Sequence, residues 1–355
     1  MTRPVHIVAL STRTPVGRCA AATAAAVRAG ICRVREHPYL VDPLGNRLCC
    51  GFDAFLDPAV QGADRLLALS IPTLQTLIHH LSAKRTTSAI QVMDQLHVTL
   101  SLCEPRPGLH AQDLVHVALR LKDAVLPQHP GPIELLDAGH AGVLHGLQTA
   151  LQTIQRNERN LCIVAGVDSY LDADGLTWLD AQRRLAHAQM RGGVVPGESA
   201  AMVALASEEA RVALGLPSLG CLRAAFCGDD GPDSEDTGPL GFCLTRVIKQ
   251  VGTELTSRGA VVDNVYCDLN GERSRTDDWG FALLRTSALF RDGTAYRTPV
   301  GACGDLGAAT AAVNVALAVQ AWERGYAQGR YALIWGASWG GLRGATLLER
   351  AGAST

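Results

Sequence analysis

No histidine occurs between residues 188 and 355, although the chain holds eleven and the last of them is His187. Any chemistry in the second half therefore has no imidazole for proton transfer or metal ligation. An excess of one charge is lacking too. Lys and Arg number 32 against 34 Asp and Glu, a formal net charge of −2, so no basic field draws nucleic acid or an acidic lipid surface. No apolar run reaches the roughly 18 residues that a membrane-crossing helix needs, so no membrane span is expected. The apolar run in the opening MTRPVHIVAL is too short for a signal segment and reads as a first strand, which places the protein in the cytoplasm. The eleven cysteines show no CxxC and no mixed Cys/His spacing, and only Cys49 and Cys50 adjoin. They read as reduced, buried thiols, with no metal site and no cofactor-binding motif implied.

What is present is core-forming material. Apolar residues make up 47% of the 355 and charged residues 19%, enough for two domains or one large two-part α/β unit. Strands are expected over Val5–Leu10, within Ile90–Leu102, and over Ile133–Leu136, Leu161–Val167 and Ser199–Ala206. Leu161–Val167 is continuously apolar, as in a strand buried on both faces. Helical spacing covers Ala20–Ala29, Ala63–Leu81, Gln112–Ala124 and Ala141–Ile154, with Pro72 expected to kink or split the second of these. The second half repeats the pattern. Strands fall at Leu222–Phe226, Val262–Leu269, Tyr331–Gly336 and Ala345–Leu348, and helices at Gly241–Thr256, Trp279–Leu289 and Ala308–Trp322. Asp229–Gly238 reads as a loop. Two similar halves, 1–210 and 211–355, are expected to join near residues 207–217 without a low-complexity linker, their alternating elements giving sheets covered by helices.

Several segments, in this order, resemble the thiolase superfamily and its β-ketoacyl synthase branch. They are HIVALSTRTPVG with the alanine-rich helix after it, DAGHAGVLHGLQTALQTIQRNERNLCIVAGVDS (137–169), ESAAMVALASE, and WGASWGGLRGATLL near the C-terminus. The resemblance implies a thiolase-like α/β fold: duplicated αβαβα halves with mixed five-stranded sheets packed around central helices. It also implies dimerisation through edge strands, as a homodimer or as a heterodimer with a related synthase, and acyl-CoA or an acyl-carrier protein as the molecules such a fold handles.

In that family the second segment carries a cysteine at a helix N-terminus, where free N–H groups and the helix dipole stabilise a thiolate and then a thioester oxyanion. Here His140 occupies that position, or Gly139 if the register shifts by one; neither is a thiol. The family's second-half partners, two histidines or a histidine and an asparagine, have no histidine to fill them. In DLNGERSRTDD the first falls on Asn270, and in ACGDLGAAT the second falls on Gly304 or Asp305. His140, Asn270 and Asp305 are therefore the candidate site residues. A helix N-terminus should lower the pKa of His140. The plainer reading of His140 is a packed imidazole in a relict pocket, and Asn270 and Asp305 could equally brace their own loops. Cys303 reads as a small buried hydrophobe whose pKa a neighbouring Asp305 would raise. Residues 272–278 read as a solvated helix start, Glu198 as structural, and Trp335 and Trp339 as core or pocket wall. The function expected is a non-catalytic subunit or accessory protein, comparable to a chain-length factor or a secretion-associated scaffold. The alternative is an acyltransferase or acyl-thioester hydrolase using His140.

Overall fold

The computed structural model describes residues 3–42, 44–82, 86–129, 131–187, 190, 192–230 and 240–352. Its strands are β1 (Val5–Arg13), β2 (Val34–Val41), β3 (Arg47–Gly51), β4 (His97–Ser101), β5 (Ile133–Leu136), β6 (Leu161–Ser169), β7 (Glu198–Ser207), β8 (Gly220–Asp229), β9 (Asn264–Tyr266), β10 (Tyr296–Arg297), β11 (Tyr331–Ala337) and β12 (Leu342–Arg350). Ten of them hydrogen-bond in the order β10-β9-β11-β12-β8-β1-β7-β6-β4-β5, while β2 and β3 form a separate hairpin.

The order reads the same from its centre outwards. From β1, the next strand β7 is antiparallel, β6 is antiparallel to β7, and β4 and β5 continue in parallel. From β8, β12 is antiparallel, β11 is antiparallel to β12, and β9 and β10 continue in parallel. Among the described residues, the strands of the two five-stranded sets pair only where Val5–Ile7 of β1 meet Gly220–Leu222 of β8. Each set delivers one long helix to the space between them, Gly142–Gln155 from the first and Thr310–Glu323 from the second.

Packing follows the side chains. Helix 310–323 is buried at every position from Thr310 to Trp322, so it has no polar face; its many alanines let sheets close on it from both sides. Asn314 donates there from Nδ2 to the Cys267 carbonyl at 2.9 Å, while its buried Oδ1 has no partner. Strand β6 is buried along all nine residues, as its unbroken apolar run predicts. Helices Gly62–Leu81 and Ala111–Val125 cover the outer face of the first sheet set, and helices Phe242–Thr256 and Arg273–Thr286 that of the second. These layers are a thiolase-like α/β fold with mixed sheets around central helices.

Some elements depart from expectation. Helix 62–81 is not split at Pro72; buried Leu66, Leu69, Leu74, Leu77 and Leu81 anchor it on either side of the proline. A helix, Thr87–Asp94, precedes the strand expected within 90–102. The loop expected at 229–238 lies largely outside the described residues.

Candidate functional site

Both central helices begin the same way. A glycine in the left-handed region, Gly139 at φ 58° and Gly307 at φ 51°, turns the chain into a short 3-10 segment that runs into the helix. Only glycine takes this conformation without strain. At Gly307 a Cβ would also fall 1.9 Å from Asp168 Oδ2. The two turns face each other, which brings the side chain after Gly139 against the one before Leu306.

His140, Asn270 and Asp305 therefore meet, from segments 35 to 165 residues apart. His140 Nε2 lies 3.0 and 3.1 Å from the two Asp305 oxygens. Asn270 Nδ2 donates to Asp305 Oδ2 at 2.6 Å and to Glu272 Oε2 at 3.0 Å, while its Oδ1 accepts from the Glu272 backbone N–H at 3.0 Å. Gly307 N–H donates to Asp305 Oδ1 at 2.8 Å. Of the two candidates at the second motif, Asp305 supplies the side chain and Gly304 only backbone. All three site residues are buried, with exposures of 3% for His140, 3% for Asn270 and 1% for Asp305.

The centre of the cluster is Arg275. Its Nε donates to Glu272 Oε2 at 2.9 Å, and Nη1 donates to Asp268 and to the Ala337 carbonyl. Its Nη2 donates to His140 Nδ1 at 3.1 Å. In the neutral form of the ring, one arrangement suits both contacts: Nδ1 accepts from the guanidinium and Nε2–H donates to Asp305. Both imidazole nitrogens are thus engaged. Trp339 forms the outer wall, its Nε1 donating to Glu272 at 3.1 Å and its ring 5.7 Å from that of His140; the Arg184 guanidinium sits 5.0 Å over the indole. At the start of helix 142–155, Ser338 Oγ accepts from Ala141 N–H at 2.9 Å and donates to the Ala138 carbonyl at 2.5 Å. Within the cluster Asp268 Oδ1 is the buried side-chain oxygen without a partner.

Charge explains the proton affinities. Asp268, Glu272 and Asp305 are three buried carboxylates facing one buried guanidinium, and Arg184 adds a half-buried cation 3.7 Å from Glu272. Burial and Arg275 press His140 toward its neutral form, but Asp305 and then Asp268 outweigh them and hold its pKa above the ordinary 6.5. The downward shift expected from the helix N-terminus is thus reversed by a carboxylate in direct contact. Burial pushes Asp305 up, yet His140, Arg275 and Asn270 together bring it well below the usual carboxylate range. Glu272 behaves alike: burial raises it, and Arg275, Asn270 and Trp339 lower it further.

Other expectations change or narrow. The run 272–278 starts a helix as expected, but only one face of it is solvated: Arg273, Ser274 and Thr276 are exposed while Glu272, Arg275 and Asp278 are buried. Of the two readings of Trp335, core or pocket wall, the core holds: it stacks on Trp279 with ring centroids 5.2 Å apart in the outer core of the second sheet set. Cys303 is fully buried with its pKa pushed up to about 12, but by burial rather than by Asp305. Glu198 is structural as expected: fully buried, it takes two hydrogen bonds from Arg65 and one each from Asp53 N–H and Ser169 Oγ. Of the eleven free cysteines, Cys19, Cys32 and Cys49 are exposed rather than buried.

Residues 128–211 match the family described as β-ketoacyl synthase, N-terminal domain, a span that includes β5, His140, helix 142–155, β6 and β7. This segment is similar to the β-ketoacyl synthases, and the whole chain shares their fold. Solved structures of this fold align over nearly its whole length. The ishigamide ketosynthase/chain length factor is 18% identical, covers 98% of this chain and 100% of its own, and has a TM-score of 0.72. An oxazolomycin ketosynthase domain from Streptomyces albus is 16% identical over 99% of this chain and 76% of its own, with a TM-score of 0.73. A type II polyketide synthase acyl-carrier protein in complex with its ketosynthase gives 12% identity, 99% and 100% coverage and a TM-score of 0.74. No curated protein sequence matches. Among the described residues, no helix is long and apolar enough to cross a membrane.

Proposed function

We propose that this chain is a non-catalytic β-ketoacyl-synthase-like subunit, acting through assembly with a second copy or with an active synthase. The observation that carries this reading is Arg275. Its guanidinium sits beside the imidazole and ties His140, Glu272 and Asp268 into one buried network, in which His140, Asn270 and Asp305 bond to their neighbours rather than to an open cavity. Condensation needs a nucleophile that accepts an acyl group and donors left free for the thioester oxygen. Here the position of the nucleophile holds an imidazole with both nitrogens engaged. The recurrence of one strand order supports reading the chain as two halves, 1–210 and 211–355, retained as a scaffold.

The test is incubation with acyl-CoA and with acyl-carrier protein, read by intact mass and by thioester release. Neither an adduct nor turnover is expected. Turnover that disappears in His140→Ala would overturn the proposal and establish the acyl-transfer or hydrolysis reading, which the His140–Asp305 contact favours. Co-purification with a related synthase, against a homodimer alone, distinguishes the two modes of assembly.

A further inference from the structure

A second cationic site lies away from His140. Helix Ala20–Arg28 and the C-terminal end of helix 310–323 border a cleft of about 560 Å³ over β9 and β10, floored by the buried Ala24 and Leu317. Arg28 and Arg297 line it together with Tyr266, Tyr296 and Tyr326, and an adjoining hollow that shares Arg28 and Tyr326 adds Arg324. Among the described residues, none of these three arginines has a carboxylate within ion-pair distance. The other side-chain contacts they make are with neutral groups. Arg28 sits 4.1 Å over the Tyr326 ring, and Arg297 lies 5.8 Å over Tyr266 and bonds Asn264 Oδ1 at 3.3 Å. Burial raises the Tyr326 pKa, while Arg28, Arg297 and Arg324 each act to lower it, so all three cations are near enough to act on one tyrosine.

Complementing helix C-termini does not account for this much charge. Two helix ends present about −0.5 each, against three positive charges, which leaves an excess of about +2. Glu323, next in sequence to Arg324, is bonded to Gln320 instead. A guanidinium laid on a tyrosine face keeps its edge N–H groups free and oriented, the arrangement that takes an oxyanion bidentately. The apolar floor and tyrosine walls suit a planar or apolar body, and the volume falls in the range of small-molecule sites.

We propose that this cleft binds a phosphate-bearing small molecule of nucleotide size, its phosphate held by Arg28, Arg297 and Arg324 and its body by the tyrosines. Calorimetric titration of the full chain with ADP, and separately with inorganic phosphate, tests it. ADP is expected to bind at least about tenfold more tightly than phosphate, with affinity falling as salt rises. Arg28 and Arg324 lie at exposed helix ends, so Arg28→Glu/Arg324→Glu should fold normally by circular dichroism and bind ADP at least about tenfold more weakly. Arg258→Glu, an exposed control in another helix end, should bind like the parent. Absence of ADP binding, ADP no tighter than phosphate, or an unchanged affinity in the double variant would each overturn the proposal.

Discussion

Replacing Arg275 by methionine tests how the buried cluster is held together. Methionine keeps much of the volume and removes the cation, leaving Asp268, Glu272 and Asp305 buried with His140 as their one buried counter-charge. Removing one member of a buried ion pair costs about 3–5 kcal/mol, because the remaining charge keeps its desolvation penalty. With an m-value of about 3 kcal/mol per molar urea, the unfolding midpoint at pH 7 should fall by about 1–1.7 M. The pH dependence carries the sharper information. In the parent, Asp305 and Glu272 have pKa values below their ordinary 3.8 and 4.5, so they contribute stability above those values and lose it as pH falls. Without Arg275 the same carboxylates titrate higher and take up protons sooner as pH falls, relieving their repulsion. The stability gap between variant and parent should therefore narrow from pH 7 to pH 5. A deficit below about 1 kcal/mol that does not change with pH would show that Arg275 does not hold the network, and with it the argument for a filled pocket would fall.

Asp305→Asn should flatten the acid limb of the stability curve below about pH 4, because the depressed carboxyl that the parent must protonate there is gone. It should also remove a loss of stability on the alkaline side. In the parent, His140 is raised above 6.5 and its contribution fades as pH rises through that folded value; without Asp305 there is little to lose. Urea midpoints across pH 3–9 check both limbs, and parallel curves would contradict them. Native alkylation with iodoacetamide at pH 8, counted by intact mass, should label Cys19, Cys32 and Cys49 quickly. Cys50, Cys103, Cys162 and Cys303, each raised to about 12 chiefly by burial, should react only after unfolding. Fast labelling of any of those four would mean that the core around it opens readily.

The fold was largely legible because its signals are long and local. β6, β7 and both central helices are apolar runs whose period and length leave few alternatives, and the two positive-φ glycines sit where each helix must turn in. Short elements were not legible. The hairpin β2–β3 is largely exposed, with Arg35, Glu36 and Arg47 on its surface, and β9 and β10 span three and two residues. At the site, His140, Asn270 and Asp305 could be named from motif order, but Arg275 could not. It lies in a seven-residue run with six polar or charged neighbours, the composition of a solvated surface. What buries it is tertiary: Asp268 from before the run, Ala337 at the end of β11, and His140 from the other half. One local hint existed, the three-residue spacing of Glu272 and Arg275 on one helix face just after Asn270 and Gly271.

A pocket that had merely lost its nucleophile would leave polar groups facing a void or water. This one holds a guanidinium whose Nε, Nη1 and Nη2 all find acceptors, beside a hydroxyl that caps the start of the first central helix. The arrangement sets a threshold for any acyl ligand. To reach His140, the ligand must first separate Arg275 from its partners, at a cost of about 3–5 kcal/mol. The open form is then populated at about one part in 10² to 10³·⁵, and apparent affinity falls by the same factor. That penalty precedes any chemistry and adds to the absence of a thiol. An acyl enzyme built on this scaffold would therefore need Arg275 to move on binding, whereas a scaffold subunit gains rigidity from leaving it in place. The first requires the stability gap of Arg275→Met to be accompanied by a gain in acyl-CoA binding; the second requires the gap alone.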